Sequence, residues 1–423
     1  MSTAVRLPPR WLRLRPHPEQ MRLWNENKRF AVVPAGRRSG KTELAKRKLV
    51  IGLNEKKNWT DPKYFAAAPT REQAKRIFWK DLKELTPREW TKRVYETDLC
   101  IKTVFGSELW VVGVDKPERV EGVPWDGGVL DEFANMRETA WTEHIRPALS
   151  DRKGWCWFIG VPEGLNHYKE VADYAASGSD PDWGLYTWPS SEILPQEEVE
   201  AARRVLDAKT FRQEYEASFE GSSGRAYYAY DPAKHEDQGL SINETLRLAV
   251  CCDFNVDLCV WEVAQTDGRS VWVLDEIALR NTNTAEMGKA LLAKYGGHKA
   301  GLAIYGDAAG MSRSTAGMSD YAILDRMGLR TQRVKRANPA VRDRVNAVNA
   351  MLESSNGDVK LYIHPRCAHL RKDFETVEWR SGGMEINKSD PERTHASDAL
   401  GYFMEYEFPL RLNRPDPAKR FYK

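Results

Sequence analysis

The stretch Ala35-Gly36-Arg37-Arg38-Ser39-Gly40-Lys41-Thr42 restricts the fold of this chain more than any other. It follows a short apolar run at 30–33 and opens a segment in which Ala45, Leu49 and Leu53 recur at helical spacing, predicting a helix over 42–54. A strand that turns through glycines into a helix N-terminus aims several backbone N–H groups at one point, the geometry that binds phosphate oxygens. In such a P-loop the amides of Gly36, Arg37, Arg38, Ser39 and Gly40 cradle the phosphates. Lys41 reaches the β- and γ-phosphates of ATP, and the Thr42 hydroxyl ligates Mg²⁺. Ala35 stands where the pattern has glycine, and Gly36 is left to supply the freedom of the turn. The competing reading is a basic helix-capping turn.

Apolar runs at 64–68, 109–114, 127–130 and 155–161 read as strands separated by helices, which predicts a mostly parallel sheet. The run at 127–130 ends in Asp131-Glu132. At the end of a strand beside a P-loop, Asp131 suits holding the metal through water, and Glu132 suits polarising the attacking water as general base. Such acidic pairs are common on surfaces; the P-loop upstream is what gives this one weight. Asp275-Glu276 also follows a strand, but no P-loop precedes it in its own domain, so it reads as secondary. Charge developing on a γ-phosphate calls for an arginine. Arg37, Arg38 and Arg119 are the candidates, each with the alternative of an ordinary surface residue.

At 423 residues the chain is too long for one core. A charged helical stretch at 197–220 followed by Gly221-Ser222-Ser223-Gly224 marks the division. The expected organisation is a P-loop ATPase domain at 1–194, a helical lid and linker at 195–224, and a second domain at 225–423. No apolar run is long enough to cross a bilayer, and no apolar stretch follows the basic N-terminus, so neither a membrane anchor nor a signal peptide is expected. The six cysteines lack CxxC spacing and read as reduced, buried thiols; His364 and Cys367 have no second ligand pair to make a zinc site. A net charge of +3 excludes a globally basic nucleic-acid binder and leaves local patches. Arg330, Arg333, Lys335, Arg336, Arg342 and Arg344 form one, for which a solvated helix face is the bland alternative.

After the linker the pattern changes. Runs at 248–254, 258–265 and 271–278 predict an antiparallel meander, with Asp267-Gly268 in one turn. A helix over 284–295, a strand at 302–305, a helix over 341–352 with Val341, Val345, Val348 and Leu352 on one face, and a last helix over 395–406 follow. This is the element order of an RNase H-like domain. Asp253 lies in its first strand, Asp307 just past its fourth, and Asp398 in the first turns of its last helix. A carboxylate inside or at the end of a buried strand is costly unless paired or metal-bound. Singly, each reads as a turn or cap residue. Together they would hold two Mg²⁺ or Mn²⁺ ions that activate water and stabilise the leaving oxygen of a phosphodiester. His395, one helical turn before Asp398, either touches this site or caps the helix.

The segments AGRRSGKT, AAAPTREQAKRIFW, GGVLDEF, FIGVPEG, YGDAAG and THASDALGYFMEY, in this order along nearly the whole chain, resemble those of the large terminase subunit of tailed double-stranded DNA bacteriophages. The resemblance implies an α/β architecture. Its first part is an N-terminal RecA- or ASCE-like ATPase with a mostly parallel sheet, which translocates duplex DNA into a procapsid. Its second is a C-terminal RNase H-like mixed-sheet nuclease that cuts the concatemer. It also implies that Gln20, in Pro18-Glu19-Gln20, reads the adenine base. Gly160-Val161-Pro162 would be the coupling motif, with Val161 where the family often has Ser or Thr. Arg119 would act across a subunit boundary in a homo-oligomeric ring, taken as a pentamer, and hydrolysis would shift the helical segment around 195–220. The stretch at 379–390, including Ser381-Gly382-Gly383, would be a β-hairpin beside the nuclease site. The implied partners are duplex DNA, a portal protein and a small terminase subunit. The implied location is the host cytoplasm, docked on the procapsid portal and absent from the mature virion. Three rivals differ in class: a helicase-like P-loop motor fused to a nuclease, a stand-alone RNase H-like resolvase, and a DNA-binding scaffold with degenerate sites. Intact Lys41, Thr42, Asp131 and Glu132 argue against the scaffold.

Overall fold

Parallel strands buried on both faces require helices on both, and the first half of the chain is built this way. The computed structural model describes residues 7–116, 120–220, 224–255, 257–312, 317–380 and 385–410. Arg119, Gly221-Ser222-Ser223 and Ser381-Gly382-Gly383 lie outside the described residues. The first sheet contains β1 (Phe30–Pro34), β2 (Lys63–Ala68), β3 (Thr91–Tyr95), β4 (Cys100–Thr103), β5 (Glu108–Gly113), β6 (Gly127–Asp131), β7 (Trp155–Gly160) and β8 (Trp183–Leu185). Their order is β3-β4-β5-β2-β6-β7-β1-β8. β3, β4 and β5 pair antiparallel, and every other neighbouring pair is parallel. Along β1 the side chains alternate between two cores. Ala31 and Val33 meet Leu44 and Leu49 of the helix Lys41–Gly52, while Phe30 and Val32 meet Trp141 and Phe158 on the other face. β7 alone separates β1 from β6, so the P-loop and Asp131 leave the sheet at the same edge, two strand spacings or roughly 10 Å apart.

The second sheet runs β13-β12-β9-β10-β11-β14. Its strands are β9 (Leu248–Cys252), β10 (Leu258–Thr266), β11 (Val271–Arg280), β12 (Leu302–Gly306), β13 (Gln332–Arg333) and β14 (Leu361–Ile363). β9, β10 and β11 form the expected antiparallel meander, and β12 lies parallel to β9. On one face Ala249 and Cys251 pack with Val348, Leu400 and Phe403, which belong to the helices Val341–Leu352 and His395–Glu407. On the other, Leu248, Val250 and Cys252 pack with Leu291 and Tyr321.

The chain divides into two compact units, Met1–Val199 with Arg212–Glu220, and Glu200–Phe211 with Gly221–Lys423. The helices Gln196–Arg203 and Ala208–Tyr215 therefore each pass from one unit to the other partway along. They are two helices rather than one because Asp207 interrupts: its carboxylate accepts from the N–H groups of Lys209 and Thr210, both at 3.1 Å, and caps the second. The basic run at 330–344 is not one solvated patch. Lys335 pairs with Glu405 and Arg344 is buried against Asp398, whereas Arg330 and Arg336 are exposed.

Leu130 of β6 and Leu400 of the last helix are fully buried. Replacing either with Ala is expected to lower the unfolding free energy by roughly 2–5 kcal/mol in denaturant titrations. A change below about 0.5 kcal/mol, the scale of a surface substitution, would place that residue outside the core.

Candidate functional site

Ala35 continues β1 as a bridge to Trp188, and its N–H donates to the Gly160 carbonyl at 3.0 Å. Extended backbone needs no glycine, so Ala35 fits without strain. Gly36 is the position that admits no side chain: a Cβ there would lie 2.5 Å from Ser190 Oγ and 2.7 Å from the Tyr215 carbonyl. Arg38 at φ 56° and Gly40 at φ 77° then turn the chain into the helix that starts at Lys41. The loop is held from outside. Trp188 Nε1 and Gln20 Nε2 donate to the Ser39 carbonyl at 2.9 and 3.2 Å, and Ser190 Oγ donates to the Arg37 carbonyl at 2.7 Å. The Arg37 N–H donates to the Glu214 carbonyl at 2.7 Å, and the two side chains form an ion pair. Ser39 Oγ and Gln20 Oε1 are buried with no hydrogen-bond partner among the described residues. Arg38 is exposed.

Lys41 Nζ donates to the carbonyls of Ala35 and Gly36, both at 3.1 Å. Burial pushes this ammonium down to about 8, against the pull of Asp131. Thr42 Oγ1 donates to Asp131 Oδ2 at 2.9 Å, and the Glu132 N–H donates to Asp131 Oδ1 at 2.9 Å. Burial raises the Asp131 carboxyl above its ordinary range, although Lys41 and Thr42 both oppose it. Glu132 follows at φ 58°, a left-handed conformation that costs a non-glycine residue about 1–3 kcal/mol. Gly160 ends β7 between the two, and Val161-Pro162 continue from that edge.

In the second unit strand register brings two carboxylates together. β9 and β12 run parallel with Cys252 opposite Gly306, so Asp253 and Asp307 leave the sheet side by side. His395 Nδ1 lies 3.0 Å from Asp253 Oδ2, and its Nε2 lies 2.8 Å from the Pro391 carbonyl. The hydrogen bond to Asp253 holds the imidazole above its ordinary value. Asp307 Oδ1 accepts from the Gly310 N–H at 2.9 Å. Burial raises this carboxyl, the Gly310 bond opposes the rise, and the neighbouring Asp253 and Asp320 carboxylates add to it. Asp398, on the helix that packs over β9, β10 and β12, meets Arg344 Nη1 at 2.9 Å through Oδ1, and its Oδ2 lies 3.6 Å from Lys388 Nζ. The Arg344 guanidinium sits over the Tyr402 ring at 4.3 Å. The Tyr402 hydroxyl is raised by burial and, against Arg344, by the charges of Asp398, Asp307 and Asp253.

Among the described residues no group of three His, Cys, Asp or Glu side chains is gathered into a ligand shell. Asp253, Asp307 and Asp398 are neighbours, yet each is turned to a protein partner: a histidine, a backbone amide and an arginine. Thr42 and Asp131 are bonded directly to one another. Asp275 pairs with Lys294 and Tyr295, and Glu276 accepts from His369, so this acidic pair is structural. His364 bonds Arg366 and Cys367 is buried. The hairpin stem is present as a Trp379–Ile386 bridge, and Lys388 carries it to Asp398. Two residues that matter to these sites had no motif to announce them. Glu214 is one glutamate in a charged helix. Arg344 reads as one of a basic run, although its place between Val341 and Val348 on an apolar helix face marks it as buried.

Residues 252–407 match the family described as the terminase RNaseH-like domain. The sequence is 26% identical over 328 residues to the terminase large subunit of Thermus virus P23-45, covering 67% of each protein. It is 26% identical over 213 residues to that of Escherichia phage T5, covering 49% of this chain and 48% of the other. The solved structure of a large terminase from a thermophilic bacteriophage superposes with a TM-score of 0.66 over 95% of this chain and 98% of its own, at 16% identity, which shows a common fold.

The depressed Lys41 value has a testable sign. Below pH 8 the lysine is charged in both folded and unfolded chains, and its burial is a cost. Between pH 8 and the ordinary 10.5 the folded chain has released the proton and the unfolded chain has not, so stability rises with pH. In unfolding titrations across this window the stability of wild type relative to Lys41→Met should rise with pH. A constant difference would mean that Lys41 is solvated.

Proposed function

We propose that this chain, a relative of the large terminase subunits of bacteriophages, is the DNA-packaging subunit of a tailed double-stranded DNA phage or prophage. It uses ATP to drive duplex DNA into a procapsid and cuts the concatemeric DNA with a separate nuclease. One observation carries the reading. A single chain holds a P-loop bonded to a strand-end carboxylate, Thr42 to Asp131 at 2.9 Å. A different sheet sets Asp253 and Asp307 side by side, and the last helix, which packs on that sheet, carries Asp398, all within the segment that matches the terminase RNase H-like family.

At the first site the amides from Arg38 to Thr42 and the Lys41 ammonium would hold the phosphates of ATP, whereas the Gly36 and Arg37 amides, also expected in the cradle, donate instead to the Trp188 and Glu214 carbonyls. The unpartnered acceptor Gln20 Oε1 suits an adenine amino group, and Ser39 Oγ offers a further buried contact. Thr42 and Asp131 would hold Mg²⁺, which offsets phosphate charge when bound. Glu132 draws the proton from the attacking water. Arg37 is paired with Glu214, in the segment 195–224 that serves as lid and linker. A γ-phosphate competes with Glu214 for that guanidinium, linking nucleotide state to the segment. Arg38 and Arg119 are the other arginines proposed for this charge.

At the second site Asp253, Asp307 and Asp398 would hold two Mg²⁺ or Mn²⁺ ions, which supply Lewis acidity and an activated water when bound. The donors suit such ions: all are hard carboxylate oxygens, and Asp307 sits where neighbouring negative charge makes added positive charge favourable. His395 orients Asp253 through its hydrogen bond. The chain works as a homo-oligomeric ring, taken as a pentamer, with a portal protein and a small terminase subunit as partners. It acts in the host cytoplasm while docked on the procapsid and is absent from the mature virion. No helix among the described residues is long and apolar enough to cross a membrane.

Purified protein is expected to hydrolyse ATP and to cleave plasmid DNA with Mg²⁺ or Mn²⁺. Glu132→Ala should cut ATP turnover by about 10²-fold or more while nucleotide binding and cleavage persist. Asp307→Asn should abolish cleavage and leave ATP hydrolysis intact. Loss of both activities in either variant would defeat the two-site reading. In nucleotide-binding titrations Glu214→Gln should tighten ATP binding by roughly tenfold, the worth of one charge-assisted bond no longer competed for; unchanged affinity would show that Arg37 does not face the phosphates.

A further inference from the structure

We propose that Arg344 and a divalent cation compete for Asp398, so that metal loads at the strand-end aspartates only as the Asp398–Arg344 pair opens. This rests on the nuclease reading above. Arg344 is 6% exposed, on the helix Val341–Leu352, whose Val345 and Val348 lie in the core. Its stem lies against Gly401, where a Cβ would come within 3.3 Å of Arg344 Cβ. That gap lets the guanidinium reach along the last helix to Asp398 Oδ1 at 2.9 Å, with the Tyr402 ring beneath it.

The pairing is incomplete for a purely structural arginine. Nε is buried with no partner among the described residues, and Nη1 has only the Asp398 carboxylate and, at 3.5 Å, its carbonyl. A buried guanidinium with donors left over is costly unless something else uses it. What surrounds it is negative charge: Asp398 and Asp253 both act on Arg344, and Arg344 acts in turn on Asp307. It therefore supplies, from the protein, the positive charge that a metal would bring to the same carboxylates. Lys388, beyond the hairpin stem, faces the other Asp398 oxygen at 3.6 Å, so both oxygens are already turned toward cations. An ion entering here meets the repulsion of a fixed guanidinium and must displace it from one of its own ligands.

Mn²⁺ binding by calorimetry, on the full chain without nucleotide, tests this. Arg344→Gln should bind Mn²⁺ roughly tenfold tighter or more, because a fixed positive charge beside the ligands is gone. Arg344→Lys, which keeps the charge, should stay near wild type. Equal or weaker binding in Arg344→Gln would overturn the proposal and show that Arg344 only positions Asp398. Asp307→Asn separates this from the parent reading. If it leaves Mn²⁺ binding unchanged, the aspartates are not a metal site and both inferences fall; if it weakens binding while Arg344→Gln has no effect, only the competition falls. Should Arg344→Gln not fold, wild type labelled with ¹⁵N-arginine serves instead. The guanidinium resonance assigned through Arg344→Lys should move in step with Mg²⁺ occupancy, and a resonance unmoved at saturation would overturn the proposal.

Discussion

A carboxylate at the end of a buried strand cannot remain charged there unless something faces it. Both sites in this chain answer that constraint. Asp131 closes β6 and is met by the Thr42 hydroxyl, the Glu132 amide and, at longer range, Lys41. Asp253 and Asp307 follow β9 and β12 and are met by His395 and the Gly310 amide. Each arrangement gathers groups from elements far apart in sequence, and each depends on strand register. A one-residue slip of β12 against β9 would separate Asp307 from Asp253 and turn alternate side chains to the opposite core.

The two sheets differ in how they deliver these ends. In the first, parallel strands all finish on one edge, so the P-loop, Gly160 and Asp131 come from three neighbouring strands with the same direction. In the second, only β9 and β12 share a direction at the site, and the third carboxylate comes from a helix laid across them. The first design fixes its carboxylate through the backbone. The second leaves Asp398 on a helix side chain, where an arginine from a neighbouring helix can reach it.

Much of this architecture is legible in the sequence of residues alone. Helices expected over 284–295 and 341–352 have those bounds, because each is a strongly periodic run with clear ends. The P-loop, Asp131, Asp253 and Asp307 stand out as polar residues set where apolar runs stop. Short edge elements do not: β13 has two residues and β14 three, too few for any period to show. The antiparallel β3 and β4 escape notice because Lys92 and Arg93 break the apolar pattern of an exposed edge. Partnerships are the least legible. Nothing in a charged helix says which glutamate meets a loop 177 residues away, as Glu214 meets Arg37. That information resides in topology.

The helix Ala208–Tyr215 begins in one compact unit and ends in the other, and its last turn bears both Glu214 and the Tyr215 carbonyl that crowds Gly36. The boundary between the units is therefore not a single point in the chain. A recombination event that joined the first 199 residues of one such protein to the remainder of another would inherit a phosphate-binding loop from one parent and the wall it leans on from the other. Exchange that preserves the loop has to carry 212–220 along with the first half, although 200–211 lies between them in the gene.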